Sequence, residues 1–162
     1  MICVGIDPGL TGAIAFLDHH GAIIALDDIP TMVNPDAGPK TTIKREVDVC
    51  ELRDLIRDRI PADEAAIVAL EHVSTVGGKG VQAALSMAAT KASVGSVIRL
   101  LGLTLHRVHP TSWKRFYGLT ADKAACLAMA RSLYPDAPLK LAKHHNRAES
   151  LLIARWAARN LT

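Results

Sequence analysis

Three short apolar runs separated by tight polar breaks open the chain. The runs cover residues 2–6, 12–17 and 22–26, and the breaks between them read Asp7-Pro8-Gly9 and Asp18-His19-His20-Gly21. Strand-length apolar runs with glycine-containing breaks are typical of antiparallel hairpins. We therefore expect a three-stranded antiparallel meander at the start of the chain.

The rest of the chain alternates between helix-like and strand-like patterns. Residues 30–46 contain three prolines and three threonines without periodicity, which predicts a long loop. The other patterns predict helices over 47–60 and 81–101, strands over 65–70 and 103–108, and helices from 110, over 121–133 and over 146–159. The predicted order is βββαβαβααα.

This order predicts one α/β domain over residues 1–162. Its sheet is expected to be mixed and five-stranded, an antiparallel meander plus parallel strands, with helices on both faces. With 49% hydrophobic residues, the chain can bury a substantial core. No apolar stretch is long enough for a membrane span, and the N-terminus does not resemble a cleavable leader. Three scattered cysteines indicate reduced thiols, so a cytoplasmic protein is expected.

Charge is distributed unevenly along the chain. The formal net charge is +3, yet residues 79–115 contain six lysines and arginines and no acid, while most acids lie between residues 18 and 71. A solvated surface would explain this pattern, but a half of the molecule that faces DNA explains it better.

Two carboxylates stand at the ends of predicted strands. Asp7 follows the first apolar run, and Glu71 follows the run at residues 67–70. Neighbouring strand ends would bring both side chains together, and their repulsion would be relieved by a hard cation such as Mg²⁺ or Mn²⁺. The alternative for Asp7 is an ordinary turn residue, since Asp is common before Pro-Gly.

A third acid, Glu149, is expected near the start of the last helix. His145 lies four residues earlier, so both side chains can share one helix face. They can serve as metal ligands, with His144 as another candidate. Alternatively, Glu149 only interacts favourably with the helix dipole, and the histidines are surface or capping residues.

Basic and aromatic residues alternate near residue 115. Lys114 and Arg115 lie among Trp113, Phe116 and Tyr117, and aromatic rings among cations can stack on unpaired bases. Helix core is the preferred interpretation for Trp113 and Phe116. DNA contacts are therefore predicted for a smaller set: Lys79, Lys114, Arg115, Tyr117 and Lys123. Glycines 77, 78 and 80 would either let a loop approach DNA or form a plain connector.

Five segments, in order, resemble RuvC-like Holliday junction resolvases, most closely their phage and prophage branch. They read IDPGLTGAIA, IVALEHV, GGKGVQAALSMAATKASVGSVIRLLG, HPTSWKRFYGLTADKAA and HHNRAESLLIA. The resemblance runs over nearly the whole chain. It implies an RNase H-like fold, a homodimer, branched DNA as substrate, and a cytoplasmic location in a bacterium or a phage-infected cell.

The resemblance also implies a two-metal endonuclease that makes paired symmetric nicks in four-way junctions. Asp7 would bridge two Mg²⁺ or Mn²⁺ ions, and Glu71 and Glu149 would hold one each. Lys114 and Lys123 match lysines near the scissile phosphate, and Lys123 is expected to be catalytic. The sequence departs from the family pattern where a further acid should precede Glu149. His144 or His145 would act there as a further ligand or as a proton-transfer group, and His145 is expected to be catalytic.

Three alternatives compete with this interpretation. The first is a nuclease for other branched DNA or flaps, because one fold serves many substrates. The second is a junction-binding protein with an impaired site, against which the three retained acids argue. The third is an actin-like phosphotransferase, but the chain is too short for a two-lobed nucleotide cleft, so no nucleotide cofactor is expected. The small-residue helix over residues 81–101 could form a two-fold dimer interface or simply pack on the sheet.

Overall fold

The fold was obtained as a computed structural model that describes residues 1–41, 43–72 and 80–162. The strands are β1 (Ile2–Asp7), β2 (Ala13–Leu17), β3 (Ile23–Asp28), β4 (Thr31–Val33), β5 (Arg45–Val47), β6 (Ala66–Glu71) and β7 (Thr104–Val108). The α-helices are α1 (Val49–Arg59), α2 (Val81–Leu100), α3 (Pro110–Phe116), α4 (Lys123–Leu133) and α5 (His145–Asn160), and a 3₁₀ turn at Ala142–His144 precedes α5.

The main sheet has five strands in the order β3-β2-β1-β6-β7. Strands β1, β2 and β3 form the predicted antiparallel meander, whereas β6 runs parallel to β1 and β7 runs parallel to β6. The prediction of a mixed five-stranded sheet is confirmed. Because β1 and β6 lie inside the sheet, their side chains are covered on both faces, which explains their continuous apolar runs.

Helices cover both faces of the sheet, as predicted. On one face, α4 and α5 pack against the sheet in a core that includes Ala15, Ala69, Trp113 and Leu152. On the other face, α1 and α2 enclose Ile6, Phe16, Leu52 and Ile98. Among the described residues, no helix has both the length and the apolar character needed to cross a membrane.

The segment at 30–46 is not the plain loop that its composition predicts. Thr31–Val33 and Arg45–Val47 pair as antiparallel strands β4 and β5, which form a separate two-stranded sheet. The Arg45 side chain donates hydrogen bonds to the Thr31 hydroxyl and carbonyl, tying the two strands together. Strands of three residues give almost no periodic signal, so the sequence pattern missed them.

Helices α3 and α4 begin with side-chain caps. His109 precedes α3 and its Nδ1 accepts a hydrogen bond from the Thr111 amide, with Pro110 at the first helical position. Asp122 precedes α4 and accepts from the Ala124 amide at 2.8 Å. These caps fix where each helix starts, and with it the positions of Trp113, Lys114 and Lys123 within their helices.

Candidate active site

Asp7 and Glu71 lie side by side at one edge of the sheet. They are the last residues of the parallel neighbours β1 and β6, in which Ile6 pairs with Leu70. Side chains alternate along a strand, so Asp7 lies on the same face as Gly5, the face on which α5 packs. The parallel register therefore brings both carboxylates beneath α5.

Helix α5 adds Glu149 because it lies unusually close to β1. At Gly5 there is no room for a side chain, since an added Cβ would meet main-chain atoms of Ser150 and Ala154, including Ala154 Cα at 2.8 Å. At the start of the helix, Asn146 Nδ2 donates to the Thr11 carbonyl and, at 3.2 Å, to the Thr11 hydroxyl. This close packing places Glu149 over the sheet edge.

The three acids, which we call the carboxylate cluster, are all buried: Asp7 is 8% exposed, Glu71 4% and Glu149 6%. Burial raises the pKa of Asp7 well above its usual range, and the negative charges of Glu71 and Glu149 raise it further. Burial also raises the pKa of Glu71, to which Glu149 adds. The site therefore concentrates repelling carboxylates where water cannot solvate them fully.

Helix α3 supplies two partners to the carboxylate cluster from adjacent residues. The Trp113 indole nitrogen donates to Glu71 Oε1 at 2.9 Å, and the Lys114 ammonium lies 3.1 Å from Glu149 Oε1. Burial opposes the charge on Lys114, but attraction to Glu149 outweighs it and raises the pKa of Lys114. The bonds from Trp113 and Lys114 both stabilise the charged form of the carboxylate that accepts them, whereas burial destabilises that form.

Helix α4 contributes a second lysine and a thiol. Lys123 is exposed at the first position of α4, and its positive charge opposes the raised pKa of both Asp7 and Glu71. Cys126 is buried one turn further along the helix. Burial and the neighbouring Glu149, with which the thiol forms a hydrogen bond, raise the pKa of Cys126 to about 11. The thiol thus stays protonated at neutral pH.

The donor set fits a hard divalent cation. Carboxylate oxygens are the ligands that Mg²⁺ and Mn²⁺ prefer, and a cation would relieve the repulsion that raises these pKa values. Within the described ranges, no three His, Cys, Asp or Glu side chains are already gathered closely enough to hold an ion. Binding would therefore require the carboxylates to turn toward a common point.

The two candidate histidines lie at the start of α5, four and five residues before Glu149, and their ring nitrogens lie near main-chain atoms. His144 Nδ1 accepts from the Leu141 amide, and His145 Nδ1 lies 3.4 Å from the Ala142 carbonyl oxygen. Both line a cavity of about 520 Å³ shared with Asp28. In the part of the chain that the structure describes, neither is hydrogen-bonded to a cluster carboxylate. A ligand role for either remains a prediction.

The adjacent aromatic residues Phe116 and Tyr117, near the predicted DNA contacts, have different environments. Tyr117 is partly buried against the core and donates its hydroxyl to the Leu152 carbonyl at 3.0 Å, and its DNA contact stays a prediction. Phe116, expected in the core, is 50% exposed. Arg115 is exposed as a DNA contact requires. Lys79 lies outside the described residues, as do Gly77 and Gly78.

Sequence reasoning missed two connections that support the site. The first is the hydrogen bond from Trp113 to Glu71; a buried indole N–H usually needs a partner, and that requirement was the available signal. The second is the two-bond ion pair of Arg147 with Asp28, 2.6 and 2.7 Å, which ties the first turn of α5 to the end of β3. No local pattern signals a contact across 119 residues.

The chain was compared with family models, with known protein sequences and with solved structures. No family model matches the chain. A stretch of 72 residues is 42% identical to "Holliday junction resolvase MOC1, chloroplastic" of Chlamydomonas reinhardtii; the match covers 40% of this chain and only 8% of that protein.

Two solved structures match almost the full length. "T. thermophilus RuvC in complex with Holliday junction substrate" aligns with a TM-score of 0.62 and 18% identity, over 98% of this chain and 95% of that one. A further Thermus thermophilus RuvC structure aligns with a TM-score of 0.53 and 19% identity, over 98% and 96%. The chain therefore has the RuvC fold, the RNase H-like arrangement that its five segments predict.

Proposed function

We propose that this protein is a metal-dependent DNA endonuclease that resolves four-way junctions by paired symmetric nicks. The carboxylate cluster carries the proposal: three buried acids from β1, β6 and α5 repel one another at one sheet edge. The RuvC fold and the similarity to a chloroplastic Holliday junction resolvase support the choice of substrate. Buried repelling acids destabilise a protein, so their presence argues for a function.

The carboxylate cluster would hold two Mg²⁺ ions, for which Mn²⁺ can substitute. In this assignment Asp7 would be a ligand of both ions, Glu71 and Glu149 would hold one each, and His144 or His145 would complete the set. When bound, the ions would lower the pKa of a water molecule and stabilise the charge on the leaving 3′ oxygen. His145, one helical turn before Glu149, is the candidate proton-transfer group.

The two lysines have different tasks in this scheme. Lys123 is exposed and acts at a distance on Asp7 and Glu71, so its ammonium can approach the scissile phosphate and offset developing charge. Lys114 forms an ion pair with Glu149 and its side chain is only 17% exposed, so its predicted DNA contact would have to coexist with that pair. It orients that carboxylate and lowers the repulsion within the cluster. Arg115, exposed on the same helix, would bind the DNA backbone.

A homodimer would explain paired nicks, because two sites related by a two-fold axis match a two-fold junction. Helix α2 offers a surface for it: an exposed stripe at helical spacing formed by Val81, Leu85, Ala88, Ala92, Ser96 and Leu100. Its small central side chains would allow close approach of a second α2. The location expected from the sequence, the cytoplasm of a bacterium or a phage-infected cell, stays a prediction.

A substrate panel tests the proposal. Labelled four-way junction, 5′ flap and linear duplex of matched sequence would be incubated with wild type and Glu71→Gln, in Mg²⁺ or Mn²⁺. We expect cleavage of the junction, little cleavage of duplex, and loss of cleavage in Glu71→Gln with junction binding retained. Preferential cleavage of the flap would favour the branched-DNA alternative. Tight junction binding without cleavage in either metal would leave a binding protein.

A further inference from the structure

We propose that Trp113 is a positioning residue that holds one oxygen of Glu71 so that the other faces the metal ions. The inference rests on the proposed function, because it concerns the same site. It adds to that function a residue that touches neither DNA nor metal and acts only through Glu71. Its basis is the contact between the indole N–H and Glu71 Oε1 at 2.9 Å.

The indole is held rigidly enough for this task. Trp113 is fully buried, 0% exposed, in the core that α4 and α5 form with the sheet. An indole nitrogen is a donor only, so its bond to Glu71 has one possible direction. A packed ring also loses little freedom when the bond forms. The carboxylate of Glu71, in contrast, would otherwise rotate about its terminal bond.

The hydrogen bond distinguishes the two oxygens of Glu71. Oε1 uses one of its two lone pairs to accept from Trp113, whereas this bond takes none from Oε2, which makes Oε2 the better oxygen for a cation. Glu71 would then act as a one-oxygen ligand. Mg²⁺ tolerates such ligands, whereas Ca²⁺ accepts two-oxygen carboxylates and more flexible geometry. Trp113 would thereby contribute to the choice of metal as well as to its affinity.

Two neighbouring residues of helix α3 each orient one carboxylate of the cluster. Lys114, next to Trp113, is 3.1 Å from Glu149 Oε1, and its ammonium lies 4.9 Å from the centre of the Trp113 ring. One turn of helix thus orients two carboxylates that belong to β6 and α5. Both contacts depend on the position of α3. Loss of the indole should therefore also weaken the hydrogen bond between Lys114 and Glu149, so that the Glu149 carboxylate is held less firmly.

The test is Mn²⁺ calorimetry on the full chain without DNA. Wild type would be compared with Trp113→Phe and with a chain that carries benzothienylalanine at position 113, which keeps the shape of tryptophan but lacks the N–H. Partners that orient metal ligands typically contribute about 10–100-fold to metal affinity. We expect a loss in that range for both variants, and a larger relative affinity for Ca²⁺. Trp156→Phe, the other tryptophan of the chain, is the matched control.

A spectroscopic signature separates positioning from packing. In Trp156→Phe, Trp113 is the sole tryptophan, so Mg²⁺ should shift its emission as the charge on Glu71 is neutralised, and Glu71→Gln should abolish the shift. Junction cleavage by the benzothienyl protein should show a lower kcat with an unchanged KM.

Unchanged Mn²⁺ affinity in the benzothienyl protein would overturn the positioning role and leave the nuclease proposal intact. Absence of Mn²⁺ binding by wild type would overturn both.

Discussion

Gly5→Ala tests whether the close approach of α5 to β1 builds the site. An alanine Cβ at this position would lie less than 3.0 Å from main-chain atoms of Ser150 and Ala154, a separation that real Cβ atoms essentially never show. Main-chain atoms cannot rotate away as a flexible side chain can. The clash can be relieved only if the whole of α5 shifts away from the sheet.

The loss of folding free energy in Gly5→Ala can be compared with that of known core substitutions. Inserting a methyl group into a packed core costs about 1–3 kcal/mol, and a main-chain clash belongs at the upper end, about 3 kcal/mol. For a domain of this size, that lowers Tm by about 6–12 °C. Gly95→Ala is the matched control, because its Cβ would meet only Arg99 and Leu105 side-chain atoms at 3.5 and 3.6 Å. In a helix interior that change should stabilise by about 0.5–1 kcal/mol.

Urea unfolding followed by circular dichroism measures both variants. The shift of α5 should also move Glu149 away from Asp7, so Mn²⁺ affinity should fall in Gly5→Ala and stay at the wild-type value in Gly95→Ala. If Gly5→Ala unfolds within about 0.5 kcal/mol of wild type, the range of ordinary surface substitutions, the contact with α5 is not as tight as described and the reasoning fails.

Three further predictions concern charge. Burial and neighbouring acids raise the pKa of Asp7 above its usual 3.8, so the stability of metal-free wild type relative to Asp7→Asn should fall as pH rises from 3.8 through that raised pKa. Urea unfolding of both proteins at stepped pH measures this difference, and a difference that does not change with pH would contradict the prediction. Lys123→Ala should slow junction cleavage by about 10²-fold with thermal unfolding unchanged, since the side chain is exposed; full activity would exclude its catalytic role. Asp28→Asn breaks the exposed ion pair with Arg147 and should lower the free energy of unfolding in urea by no more than about 1 kcal/mol, and by less at high salt. A larger loss would show that the pair anchors α5.

The sequence predicted the five strands of the main sheet, and the acids at the ends of two of them, because both depend on local patterns that the three-residue strands β4 and β5 do not give. The apolar run that precedes Asp7 in Ile2–Asp7 is typical of a strand covered on both faces, and an acid at the end of such a run is conspicuous. The parallel pairing of β1 and β6, required by the fold, then brings Asp7 and Glu71 to one edge. Glu149 was recognisable from the helical pattern that surrounds it.

The environment of these acids could not be predicted in the same way. Phe116 and Tyr117 are adjacent and similar in chemistry, yet one is half exposed and the other donates to a carbonyl of α5. Tertiary packing determines which of the two rings is buried, and no local sequence pattern predicts that packing. The same holds for Trp113, which was correctly expected in the core but whose N–H contact with Glu71 depends on the position of β6.

Mapping of the nicks in a four-way junction tests the central claim most directly. Each of the four strands would be labelled in turn, and the products of wild type and Glu71→Gln compared in Mg²⁺ and in Mn²⁺. The proposed site predicts nicks at symmetric positions in two opposing strands, with 5′ phosphate and 3′ hydroxyl ends, and none with Glu71→Gln. Nicks confined to one strand, or nicks that persist in Glu71→Gln, would contradict a junction resolvase built on the carboxylate cluster.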